Sequence, residues 1–118
     1  MVQHARFCRP HEACGLLGVD DEGSIVFVYA LTNREASATR YRVDPAEHFH
    51  AIQHADAMGW TIGGVFHSHP AGPPVPSPID VAEALDPTWH YFVVSGDEVK
   101  AWEIAGGSAT EVDIEVTG

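Results

Sequence analysis

The residues of this chain best suited to chemistry are His67, His69 and Asp80, with Glu12 and Ser77 in support. His67 and His69 close an apolar run, and residues two apart in extended chain point to the same side, so both imidazoles can face one metal ion. Asp80 follows eleven residues after His69, beyond a Pro-rich stretch that has only to reverse direction to bring the carboxylate back. Two neutral imidazoles and one carboxylate leave a fourth coordination position open, which is the ligand set of a catalytic rather than a structural Zn2+. Such an ion lowers the pKa of a bound water to about 7 and polarises a carbonyl as a Lewis acid. A base must still move the proton. Glu12, just before the apolar run Ala13–Val19, is the carboxylate best placed to be carried across to the metal loop. Ser77, three residues before Asp80, can offer its hydroxyl to an oxyanion, a duty that draws on the same oxygen as capping a helix.

These residues need a scaffold, and the apolar pattern supplies one. Ala13–Val19 and Ser24–Leu31 are apolar runs separated by the turn-forming Asp20-Asp21-Glu22-Gly23, which predicts a hairpin. Arg40–Val43 is a candidate short third strand. At Asp44-Pro45 the period changes: Asp44 can cap, Pro45 suits the first helical position, and Phe49, Ile52 and Ala55 through Met58 recur at helical spacing before Gly59. Trp60–His67 reads as a buried strand delivering the histidines to a loop at its carboxyl end. Ser77-Pro78 opens a second helix running to about Leu85, and Trp89–Ser95, Val99–Ile104 and Glu111–Val116 read as three further strands. Strands, helix, strand, helix, strands is the order of an α+β fold: a curved mixed β-sheet flanked by helices.

Composition narrows the function. At 118 residues the expectation is one domain over residues 1–118. No run approaches the roughly 18 apolar residues of a membrane span, and no basic stretch followed by an apolar block opens the chain. The expected setting is cytoplasmic, with no membrane partner. Seventeen acidic residues against six basic ones give a formal charge of -11, which repels phosphate backbones and argues against nucleic acid. Cys8 and Cys14 are too few for a disulfide framework, and Cys14 reads as a small buried hydrophobe near the site. His50 and His54 stand four apart without the glutamate of an H-E-x-x-H helix, so they read as a solvated helix face.

Taken together, Glu12, His67-Ser68-His69-Pro70, six residues, Ser77, two residues and Asp80 resemble the JAMM (MPN-plus) metalloprotease motif, E…H-[ST]-H-P-x6-S-x2-D. The histidine–serine–aspartate register arises by chance in a chain of this composition with a probability of about 0.002. The likeness runs from His4 to Val116, through His11-Glu12-Ala13-Cys14-Gly15-Leu16-Leu17-Gly18, Asn33 and Tyr41-Arg42-Val43-Asp44. It is greatest for compact bacterial members that act on ubiquitin-like sulfur-carrier proteins. The resemblance implies a cytidine-deaminase-like JAMM/MPN fold, with His67, His69 and Asp80 as zinc ligands, Glu12 as general base and Ser77 as oxyanion donor. It also implies a peptidase or isopeptidase that hydrolyses the bond after the carrier's C-terminal Gly-Gly, typically releasing cysteine; a homodimer is left open. The long insertions with which eukaryotic relatives grip a second ubiquitin are missing, which argues against polyubiquitin.

Two other classes compete. A metal-free MPN-type scaffold would lack a ligand or the base, and none is missing here. RadC-like relatives, set in DNA repair, have a histidine loop similar to His69–Ser77 but usually add a helical DNA-binding region for which this acidic chain has no room. A cytidine-deaminase zinc site is excluded, since no P-C-x-x-C is present.

Overall fold

The turn residues Asp20 to Gly23 close a hairpin by local bonding: Asp20 Oδ1 accepts from the Glu22 and Ser24 N–H groups, and Gly23 takes a φ of 80° that a side chain would resist. The structure is a computed structural model that describes every residue except Pro10, Arg34, 36–41, Leu85 and 115–118, and the side chains of Arg6 and Phe7. Its elements are α1 (Val2–Cys8), β1 (Cys14–Val19), β2 (Ile25–Leu31), α2 (Pro45–Ala57), β3 (Thr61–Ser68), α3 (Pro78–Ala82), β4 (His90–Ser95), β5 (Glu98–Ala105) and β6 (Ser108–Val112). The strands form one six-stranded sheet in the order β2-β1-β3-β4-β5-β6, with β3–β4 parallel and every other pair antiparallel. This is the mixed sheet of an α+β fold.

Strand alternation divides the core between two faces. Leu16, Val65, Tyr91 and Ile104 face α2, which contributes Ala51. Leu17, Phe66, Phe92 and Ala101 line the other face, where Met1 joins them, and Ala5 of α1 packs with Ala13 and Val94. Fully burying a side chain such as Leu16, Leu17 or Phe66 stabilises the fold by about 1.5–3 kcal/mol. Gly15 is a steric necessity, because a Cβ there would run into the Tyr29 carbonyl of β2 and the Phe66 ring of β3.

The structure departs from the sequence reading in four places. Of Arg40–Val43, Arg40 and Tyr41 lie outside the described residues, and Val43 makes a single bridge to Asn33. Helix α2 is capped as expected, with Asp44 Oδ1 accepting from Ala46 and Glu47, yet it buries the small Ala51 and Ala55 while Phe49 and Ile52 stay exposed. Helix α3 stops at Ala82, before the expected Leu85, which lies outside the described residues. Just beyond, Asp86 is tied to β4: its N–H donates to the Tyr91 hydroxyl, which donates to the Asp86 carbonyl. Strand β6 starts at Ser108 rather than Glu111, because Gly106 and Gly107 take positive φ and fold the chain straight back on β5; Val116 lies outside the described residues. No helix among the described residues is long and apolar enough to cross a membrane.

Candidate metal centre

The parallel β3–β4 pair carries β3 to the middle of the sheet, and its last residues enter the loop toward α3. His67 falls on the α2 face with Val65 and is 2% exposed. Cys14 is its antiparallel partner in β1, and paired residues share a face, so the thiol lies alongside His67. His69 leaves the strand with its N–H donating to the Val94 carbonyl, 2.8 Å. Ser77 and Asp80 form a reciprocal cap on α3. The Asp80 N–H donates to Ser77 Oγ at 3.1 Å, and the Ser77 N–H donates to Asp80 Oδ2 at 2.8 Å.

These elements converge on three atoms. His67 Nε2, His69 Nε2 and Asp80 Oδ2 lie 3.0 Å from one another on all three sides of a triangle. The Nδ1 of His69 is 2.8 Å from the Pro73 carbonyl, which can only accept, so that nitrogen holds the proton and Nε2 presents a lone pair. Lone-pair atoms this close need a proton or a cation between them. Ligands held about 2.0–2.1 Å from a tetrahedral ion stand about 3.3 Å apart, so the triangle need widen by only about 0.3 Å on each side to hold a metal. Glu12 also has a carboxylate oxygen within 4.8 Å of a ring nitrogen of each histidine. It is 2% exposed, and its Oε1 finds no hydrogen-bond partner among the described residues. A buried, unsatisfied carboxylate oxygen beside an open triangle fits a site that holds a metal and a polar fourth ligand.

The electrostatics follow from burial. Burial raises the Glu12 carboxyl to about 7, with His69 pulling it down and Asp80 pushing it further up. Burial would raise Asp80 as well, but the His67 and His69 rings beside it and the Ser77 N–H that bonds its Oδ2 hold it well below the usual carboxylate range. Burial keeps His67 below its ordinary value and outweighs the Asp80 contribution. For His69, burial is more than reversed by Asp80 and the Pro73 carbonyl, which leave it raised. Cys14 is pushed by burial to about 12 and is no nucleophile.

All five residues marked in the sequence therefore come together, Glu12, His67 and Asp80 buried, His69 half-buried and Ser77 at the rim. Capping and donation by Ser77 do not compete, because its oxygen accepts from Asp80 while the hydroxyl proton stays available. Supporting residues were not legible. Three successive carbonyls of the Pro-rich loop are bonded by side chains: Gly72 by Ser95 Oγ, Pro73 by His69 and Pro74 by Trp102 Nε1. Only the alternation that turns Ser68 away from His67 hinted that it would meet another strand.

A cluster of residues able to hold a metal on an α+β sheet of this topology points to a class of protein, and comparison with known proteins gives the family. Residues 1–105 match the family described as prokaryotic homologs of the JAB domain, and the chain belongs to that family. It is 36% identical to the CysO-cysteine peptidase of Mycobacterium tuberculosis, over 98% of this chain and 84% of that one. It is 31% identical to the desampylase of Haloferax volcanii, over 91% of this chain and 79% of that one. The crystal structure of a JAB1/MPN domain protein from Archaeoglobus fulgidus superposes with a TM-score of 0.64 over 98% of this chain and 87% of that one, at 18% identity, and shows the shared fold.

Proposed function

We propose that this chain is a zinc peptidase that hydrolyses the bond after the C-terminal Gly-Gly of a ubiquitin-like sulfur-carrier protein, with a carrier–cysteine adduct as the leading substrate. The observation that carries the reading is the His67–His69–Asp80 triangle with Glu12 buried beside it. The relatives named as a CysO-cysteine peptidase and a desampylase support the substrate class.

In this reading His67, His69 and Asp80 hold the metal, which when bound supplies Lewis acidity toward a carbonyl and a water. Glu12 accepts a proton from the attacking water and returns it to the departing amine. Burial suits it to both steps, because a carboxyl raised to about 7 is poised to take and release a proton near neutrality. The Ser77 hydroxyl donates to the oxygen that gains charge as the carbonyl becomes tetrahedral. Asp80 is kept charged by its histidine partners, and Pro73 fixes the His69 tautomer that leaves Nε2 available. On the same face as His67, a cavity of 620 Å³ has Leu16, Val65 and Tyr91 as its floor and Arg42, His48 and Glu83 on its walls. We assign this cavity to the carrier's tail, since glycines next to the scissile bond allow close approach to the recessed triangle.

The test is mass spectrometry of a sulfur-carrier protein extended by one C-terminal cysteine, incubated with the zinc-loaded chain. Free cysteine and a carrier ending in Gly-Gly are expected. Carriers with several different adducts left intact, while branched or nicked DNA is processed by the same preparation, would replace this reading with a RadC-like one.

A further inference from the structure

Glu12 Oε1 has no hydrogen-bond partner among the described residues, so the backbone that carries the side chain matters to its placement. The Glu12 carbonyl and the Ala13 N–H belong to one peptide unit, and that unit is held at both ends. At one end the Ala13 N–H donates to Ser68 Oγ at 2.7 Å, and the Ser68 N–H returns a bond to the Ala13 carbonyl at 3.0 Å. At the other end Asn33 Nδ2 donates to the Glu12 carbonyl at 3.0 Å. The same Asn33 side chain also turns outward. Its Oδ1 accepts from the Glu35 N–H at 3.0 Å and from the Arg42 N–H at 2.9 Å, and its backbone bridges Val43. Glu35, Arg42 and Val43 are wall residues of the 620 Å³ cavity. One planar amide thus joins the cavity wall to the peptide that carries Glu12.

We propose that Asn33 is a positioning residue that fixes Glu12 through its carbonyl and ties that placement to the Glu35–Arg42 wall of the cavity, an inference that rests on Glu12 being the base. The amide is needed because it donates and accepts at once. Aspartate at this position keeps the acceptor for Glu35 and Arg42 but sets a carboxylate oxygen against the Glu12 carbonyl. Alanine keeps neither function.

The test is amide hydrogen exchange, followed by NMR, on the zinc-loaded full chain. Asn33→Asp should speed exchange at Ala13 by about tenfold or more while Glu35 and Arg42 stay near wild type, and Asn33→Ala should speed all three. In both variants zinc content and the Val65 and Phe92 amides should stay at wild-type values, which a merely structural loss would not allow. On the carrier–cysteine substrate, kcat of Asn33→Asp should fall by about 10–100-fold with KM within about threefold, the signature of a misplaced catalytic group rather than lost binding. Unchanged Ala13 exchange in both variants, exchange that rises only together with Val65 and Phe92, or an unchanged kcat would overturn the proposal. A wild type inactive on that substrate, or a fully active Glu12→Gln, would instead remove the peptidase reading or the base assignment, and the exchange pattern would still decide whether Asn33 holds the Glu12 peptide.

Discussion

Replacing Ser77 by alanine removes two functions, and replacing it by glycine removes chiefly one. In the structure Ser77 Oγ accepts the Asp80 N–H at 3.1 Å, while the Ser77 N–H bonds Asp80 Oδ2 at 2.8 Å. The second bond uses backbone only and survives any substitution that retains the N–H, so Asp80 stays oriented and zinc content should match wild type in every variant. Loss of the cap in Ser77→Ala costs about 1 kcal/mol, or a fall of roughly 3–6 °C in Tm for a domain of this size. Glycine is itself a tolerable cap, so Ser77→Gly should cost only a few tenths of a kcal/mol. Both variants lose the hydroxyl proton, and kcat should drop by about 10²–10³ in each, the loss of about 2.7–4 kcal/mol expected for one oxyanion donor. Ser77→Thr keeps both functions and should stay close to wild type. Thermal unfolding and the rate of cysteine release, measured on the same preparations, separate the two effects. If kcat in the alanine and glycine variants follows Tm, or does not change at all, Ser77 is a helix cap alone.

Zinc should bind at one ion per chain, and Asp80→Ala should retain less than about 0.2 by elemental analysis; equal content in the two proteins would remove Asp80 from the ligand set. In metal-free protein, Glu12→Gln should be more stable than wild type above pH 7. A carboxyl raised to about 7 when folded holds a proton that the unfolded chain gives up near 4.3, so the burial penalty is full above the folded value and gone below the unfolded one. The gap, at most on the order of 4 kcal/mol, should close as pH falls from about 7 to about 4, and a gap independent of pH in urea titrations would contradict the burial assigned to Glu12. Gly15→Ala should destabilise by about 2 kcal/mol or more, since the neighbouring obstacle is the Tyr29 backbone carbonyl; a cost under about 0.5 kcal/mol would mean that β1 and β2 adjust freely.

Where sequence reading succeeded, the reasons are local. The His67–His69 spacing works because strand geometry repeats every two residues, and Ser77-Pro78 announces a helix start through chemistry confined to one turn. The Asp20–Gly23 turn and the Asp44-Pro45 helix start were legible for the same reason. What failed depended on long-range neighbours. Helical spacing identified α2 but not its buried face, because the helix turns Ala51 and Ala55 to the sheet and leaves Phe49 and Ile52 exposed. The end of α3 follows the tether between Asp86 and Tyr91. Likewise the anchors Ser68, Ser95, Trp102 and Asn33 bond main-chain groups 21 to 55 residues away, and no periodicity encodes such partners.

The central claim is that the residues at His67, His69, Asp80 and Glu12 add a water across the bond after Gly-Gly. It is tested most directly by cleaving the carrier–cysteine substrate in water enriched in heavy oxygen, with zinc-loaded wild type, chelator-stripped wild type and zinc-loaded Glu12→Gln run in parallel. The account predicts one heavy oxygen in the new Gly-Gly carboxylate with the zinc-loaded wild type, no cleavage by the stripped chain until zinc is restored, and no cleavage by Glu12→Gln despite full zinc. Cleavage without label, or cleavage by Glu12→Gln at the wild-type rate, would contradict it.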